Sequence, residues 1–243
     1  MATQLSGPVQ VAAQQVHSGS TTQMHKLGEL VFANDGRAYK YAKCDANTAV
    51  VSGNIYSNAA EDTDTQNLTA VAAAVNDLSL SSTTTVTVTA NEYAEGFISV
   101  AVTPGVGRIY KIKGHAAYTT AAPTFNLDND PVQVALTTDS RLDAVANPYN
   151  GIIVTPTSIT GVCLGAGVHP LAVSEFGWLQ VSGVANIEVD GTVTVGLPVV
   201  ASDTDAGTVE TITDGAHELL SRVGDALIGA STGEFGLILL QLL

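Results

Sequence analysis

The string Gly161-Val162-Cys163-Leu164-Gly165 has the G-x-nucleophile-x-G form of a hydrolase elbow. That turn needs a strand before the nucleophile and a helix after it, so that the side chain is lifted clear of the backbone. Here Ala166-Gly167-Val168-His169-Pro170 follows, and Gly and Pro oppose a helix. Cys163 therefore reads as a core thiol. Cys44, the other cysteine, lacks any metal-binding spacing to it and reads the same way. His17, His25, His115, His169 and His217 are scattered, with none in an i, i+4 or H-x-H pair, so a zinc site would depend wholly on long-range folding. His115 ends a basic segment and is expected in a loop. Asp62/Asp64, Asp128/Asp130 and Asp203/Asp205 are D-x-D pairs able to give oxygen ligands to Ca²⁺. None continues into the full calcium-loop pattern, so they read as Asp-rich turns, with Asp203-Thr204-Asp205-Ala206-Gly207 the strongest exception. Gly105-Val106-Gly107 lacks the third Gly of a dinucleotide fingerprint, and no phosphate-loop motif occurs. The expectation is a protein with no catalytic centre, no cofactor and no metal.

The elements that carry these residues should be strands. The chain has 243 residues, of which 45% are hydrophobic, 13% charged and 5% aromatic. That balance excludes a disordered chain, and a core filled by Val, Ala, Thr, Leu and Ile suits pleated surfaces. Asn34-Asp35-Gly36 between Glu29 to Ala33 and Arg37 to Lys43 predicts a hairpin, because Asp-Gly tolerates positive φ. In the second arm Tyr39 and Tyr41 should face the core and Lys40 the solvent. Thr103-Pro104-Gly105-Val106-Gly107 predicts a second hairpin, joining Gly96 to Val102 with Arg108 to Lys113. Further strands are expected at Thr83 to Thr89, Pro131 to Leu136, Gly151 to Val154, Trp178 to Val181, Ala185 to Val189, Thr192 to Val195, Leu197 to Ala201 and Leu237 to Leu242. Asn67 to Leu78 reads either as a short Ala-rich helix or as an extended run. The fold class expected is mainly β, with antiparallel β-sandwich or β-barrel modules. A flexible N-terminal arm covers residues 1–26, a β domain with basic hairpins 27–140, and an acidic β domain 141–243, the boundary falling near 138–142.

Charge narrows the partners. Nine Lys and Arg face 23 Asp and Glu, a net charge of −14, which excludes most sequence-independent nucleic-acid binders. From Asp143 onward there are 11 acids and one base, Arg222, while residues 1–142 carry 12 acids and eight bases. Against this background stand Lys26, Arg37, Lys40 and Lys43, then Arg108, Lys111 and Lys113, where an acidic partner should be met. No leader-like apolar run precedes Lys26. The apolar tail Phe235 to Leu243 is far shorter than the roughly 20 residues that cross a bilayer. A soluble protein made in the cytosol, without a membrane partner, is expected.

Five strings carry a resemblance. They are Asn91-Glu92-Tyr93-Ala94-Glu95-Gly96-Phe97, Gly107-Arg108-Ile109-Tyr110-Lys111-Ile112-Lys113-Gly114-His115, Asp130-Pro131-Val132-Gln133-Val134-Ala135-Leu136-Thr137-Thr138, Asn147-Pro148-Tyr149-Asn150-Gly151-Ile152-Ile153-Val154 and Gly177-Trp178-Leu179-Gln180. Together they resemble virion structural proteins of tailed bacteriophages, especially those of aquatic hosts. The likeness runs from about residue 28 to the end, leaving out the 55–80 segment. Gly196-Leu197-Pro198-Val199-Val200 and Gly224-Asp225-Ala226-Leu227-Ile228-Gly229 are similar to parts of the small β-domains of capsid cement proteins. The resemblance implies a non-enzymatic head decoration protein, made in the host cytoplasm and placed on the capsid surface. Its partners would be the major capsid protein and itself, as a homotrimer, with no direct nucleic acid. Arg37, Lys40, Lys43, Arg108, Lys111, Lys113 and the arm are then expected to make capsid or subunit contacts. Two alternatives are a head-fibre base or tail component, and a carbohydrate-binding β-sandwich that stacks sugars on Trp178 and Tyr149.

Overall fold

In a computed structural model that describes residues 9–11, 15–212 and 220–243, 45% of the chain is strand and 1% helix. The chain is thus a mainly β protein, and among the described residues no helix is long and apolar enough to cross a membrane. It forms two units, one of Met1–Ala60 with Pro148–Leu243 and one of Glu61–Asn147. The expected boundary near 138–142 is therefore replaced by an insertion, because the segment that follows residue 147 pairs with strands laid down before residue 61.

The first unit opens with β1 (Val9–Val11), β2 (Leu30–Ala33), β3 (Ala38–Cys44) and β4 (Ile55–Ser57). β2 and β3 form the expected hairpin, with Gly36 at φ 86° in its turn. β3 departs from the one-sided pattern: Ala38 and Ala42 on the Lys40 face are as buried as Tyr39 and Tyr41. The flexible arm is also corrected over its described residues. β1 pairs in parallel with β2, Val16 is fully buried in the core of this unit, and Ser20 bridges Phe176. The apolar side chain of Val16 and the ring of His25 give that segment anchors that its Ser- and Thr-rich composition hides.

The inserted unit holds β5 (Leu68–Thr69), β6 (Ser79–Ser81), β7 (Val86–Val88), β8 (Phe97–Val102), β9 (Ile109–Gly114), β10 (Tyr118–Ala121), β11 (Thr124–Leu127) and β12 (Arg141–Val145). Six strands run in the order β5-β12-β8-β9-β11-β6, and a bridge from Ala70 to Ser82 joins the two outer strands into a ring. β7 and β10 form a separate pair. Alternation decides what is inside: Ile98, Val100, Tyr110, Ile112, Phe125, Leu127, Leu142 and Ala144 fill the ring, and their strand neighbours face out. The β8–β9 hairpin is as expected, with Gly105 and Gly107 at positive φ. Between Asn67 and Leu78 the extended alternative holds. Asn67 and Asn76 sit at φ 53° and 75°, values that interrupt a right-handed helix. Pro131 to Leu136 is not a strand, although Val132 and Leu136 are buried.

The first unit resumes with β13 (Asn150–Val154), β14 (Cys163–Gly167), β15 (Phe176–Glu188), β16 (Pro198–Ala201), β17 (Val209–Thr211), β18 (Arg222–Ala226) and β19 (Phe235–Gln241). β3 pairs with both β13 and β15, which closes a ring β3-β13-β4-β14-β15. The far half of β15 pairs with β19, followed by β18, β16 and β17, and a bridge from Val189 to Val209 closes that second ring. The two strands expected at Trp178 to Val181 and Ala185 to Val189 are thus one long strand. It turns at Gly183, φ 86°, and serves both rings, each with its own buried cluster. Thr192 to Val195 is a loop with one bridge at Val193.

Candidate interaction surface

Both cysteines are buried. Cys163 begins β14 and a loop, not a helix, follows that strand. Burial pushes its thiol up to about 12, and that of Cys44 up to about 11, so neither supplies a thiolate at neutral pH. Both are free thiols. His115 lies in the loop that follows β9, as expected, and is buried there. Its Nδ1 donates to the Ala116 carbonyl at 2.8 Å, and its Nε2 accepts the Tyr93 N–H at 3.0 Å. His25 packs between Tyr41 and Trp178 at 5.1 and 5.0 Å. His17 reaches the Val168 carbonyl at 3.2 Å. His169 is half-buried, and His217 lies outside the described residues. Among the described residues no three His, Cys, Asp or Glu side chains gather as metal ligands. The Asp62 carboxylate receives the Tyr93 hydroxyl at 2.5 Å. Near the third D-x-D pair, Asp190 accepts hydroxyls from Thr204 and Ser202, which hold its carboxyl below the usual range.

The cations of the first hairpin are committed to the fold. The Arg37 guanidinium lies 5.8 Å from the Tyr39 ring centre, Lys40 Nζ 5.2 Å from Tyr149 and Lys43 Nζ 5.6 Å from Phe176. Arg37 also pairs with Asp35 at 2.7 Å. All three are half-buried, so each cation is spent on an aromatic face of its own unit. Tyr149 and Trp178, expected as sugar platforms in one alternative, are 8% and 5% exposed and present no open ring.

The second basic segment faces outward. On β9, Tyr110 and Ile112 point into the ring, leaving Ile109, Lys111 and Lys113 on its outer side, with Arg108 exposed at the turn. Lys111 sits directly across from Phe97 with its Nζ 5.8 Å from that ring, and Phe97 in turn lies across from Val145. Arg108 donates to the Gln133 side chain at 3.1 Å.

A surface that charge reasoning missed is the outer face of β19. Ile238 and Leu240 are buried, yet Phe235, Leu237 and Leu239, on the opposite face of the strand, are also apolar and 45%, 37% and 36% exposed. Val184 of β15 sits beside Leu239, and Leu227 and Ile228 follow β18, all exposed. The signal was present in Phe235-Gly236-Leu237-Ile238-Leu239-Leu240, where apolar residues fill both parities, as in strands covered on both sides. A cavity of about 530 Å³ opens beside this face, lined by Val184, Phe235 and Leu237 with Arg37 and His17. In the inserted unit a concavity of about 550 Å³ is lined by Asn91, Lys113, Asn126 and Asn129.

The outer rows of β19 and β9 are thus exposed strand faces, set apart by apolar area and by charge. Set beside known proteins, the chain matches no family model, no curated protein and no solved structure.

Proposed function

We infer that this chain is a non-enzymatic structural component of a larger protein assembly, and specifically a decoration protein on the head of a tailed bacteriophage. The observation that carries the reading is β19, whose apolar side chains occupy both faces while its outer row stays exposed in the single chain. A contiguous exposed apolar patch marks a surface that is covered in the working state. A chain with net charge −14 keeps its other surfaces dispersed in solution. The resemblance of the Gly107 to His115 and Asn147 to Val154 strings to phage virion proteins supports a phage head as that assembly. In that setting the chain associates with itself as a homotrimer and with the major capsid protein. One modest contact repeated over a lattice gives a tight attachment through avidity.

Gold-labelled antibody against this chain, applied to intact particles of the phage that encodes it, should decorate heads. Leu237→Asp with Leu239→Asp should empty those sites while the soluble protein stays folded. Label on tails alone moves the chain to the tail. Absence from purified particles removes the phage reading altogether.

A further inference from the structure

Residues 61–147 hold ten carboxylates and four cations, Arg108, Lys111, Lys113 and Arg141. The four cations are not spread over the unit. Three lie on β9 or the residue before it, and Arg141 opens β12. Across the outer side of β12, β8 and β9 the register sets Val145, Phe97 and Lys111 in one row, and Asp143, Ser99 and Ile109 in the next. Phe97, Ile109 and Val145 are 37%, 57% and 55% exposed. Lys111 is held against Phe97, so its ammonium is already positioned. Asp143 is turned to the Asn67 amide, which it accepts at 2.7 Å.

An apolar centre edged by cations, on a unit that is net negative, fits a protein surface that carries carboxylates around its own apolar patches. Phosphate backbones fit less well, because the unit repels polyanions at range. This chain supplies such a surface: residues 148–243 carry ten acids and one base. That base, Arg222, is itself paired with Asp225 at 2.7 Å.

We propose that the outer face of β12, β8 and β9 binds the carboxylate-bearing surface of a second copy of this chain. Two unlike patches meet in such a contact, so it repeats head to tail and closes as a ring where the rotation allows. The proposal rests on the self-association part of the preceding reading and is independent of its phage part.

Two measurements on the purified full chain test it. Light scattering at low salt should give an oligomer whose mass falls as salt is raised from about 0.05 M to about 1 M. Lys111→Glu with Lys113→Glu should weaken self-association about tenfold or more, with an unchanged far-ultraviolet spectrum. If that double variant does not fold, Lys113→Glu with Ile109→Ser replaces it, both positions being exposed. Zero-length carbodiimide coupling on a mixture of unlabelled and ¹⁵N-labelled chains should join Lys111 or Lys113 to a carboxylate between residues 148 and 243, in mixed-label pairs. A monomer at every concentration, an oligomer indifferent to the charge reversal, or couplings confined to same-label pairs each overturn the proposal. Head labelling that persists alongside an intact oligomer of the reversed variant removes this contact and leaves the decoration reading in place. Loss of head labelling with mixed-label coupling intact does the opposite.

Discussion

At the scale of single residues, Cys44, Cys163 and His115 are buried and serve packing. His115 is the clearest case, since both ring nitrogens are engaged by backbone and the Tyr93, Tyr118 and Phe125 rings surround it. His115→Ala leaves the Tyr93 N–H without an acceptor in a buried place, which costs about 1–3 kcal/mol before any cavity is counted. That is about 4–8 °C of melting temperature per kcal/mol in a separately melting unit of this size. His115→Gln, which can still accept, should recover part of the loss in the same thermal melt. Cys44 and Cys163 should resist an aromatic disulfide reagent at neutral pH in the native protein and react in urea. Rapid native labelling of Cys163 would contradict its burial. Asp190 gives a pH dependence with a definite sign. Its folded carboxyl is depressed by the Thr204 and Ser202 hydroxyls. Its stabilisation is therefore complete above the unfolded value near 3.8 and is lost as pH falls through the lower folded value. Asp190→Asn should lower the urea midpoint at neutral pH, and the gap from the native protein should close in strong acid.

At the scale of elements, Gly224 shows how tightly the strands are set. A methyl group there would stand 2.1 Å from the Leu239 carbonyl oxygen, which is backbone and cannot swing away. Gly224→Ala should therefore cost about 1–3 kcal/mol by overpacking, read as a lower urea midpoint with unchanged slope. Both Gly-centred hairpins were legible in the sequence, because positive φ at Gly36, Gly105 and Gly107 is a local demand with a local signature. The alternation of Ile98 to Val100 and Tyr110 to Ile112 was legible for the same reason. β14, β17 and β18 were not. Cys163-Leu164-Gly165-Ala166-Gly167 has small residues because Gly165 and Gly167 lie against the backbone of Gln180 and Val51, a constraint that arises only from distant chain. The cations of β3 were visible as charges, while their capture by Tyr149 and Phe176 was set by long-range pairing. For the surface, the Lys111 segment was found from charge, and the outer row of β19 was seen only as an apolar run.

At the scale of the whole molecule, the inserted unit has its own closed ring and its own buried cluster. Two compact units predict two unfolding steps, so calorimetry should give a transition broader than a single cooperative unit allows, or two resolved peaks. Ser57 and Ile153 face one another on adjacent antiparallel strands, so the chain leaves and re-enters the first unit at neighbouring points. Replacing residues 61–147 by a short Gly-Ser linker should leave a folded first unit with a single melt and intact β19. The inserted stretch expressed alone should show the other melt.

The nesting of one unit inside the other also fixes an order of events during synthesis. β3 is finished early, but the strand that covers its second edge, β15, emerges only after the entire insertion has been translated. On the ribosome the middle of the polypeptide can thus mature first, while the opening hairpin waits with hydrogen-bonding groups unsatisfied until the final third arrives. A stalled nascent chain released before Phe176 would carry one finished barrel and one open template for wrong pairing.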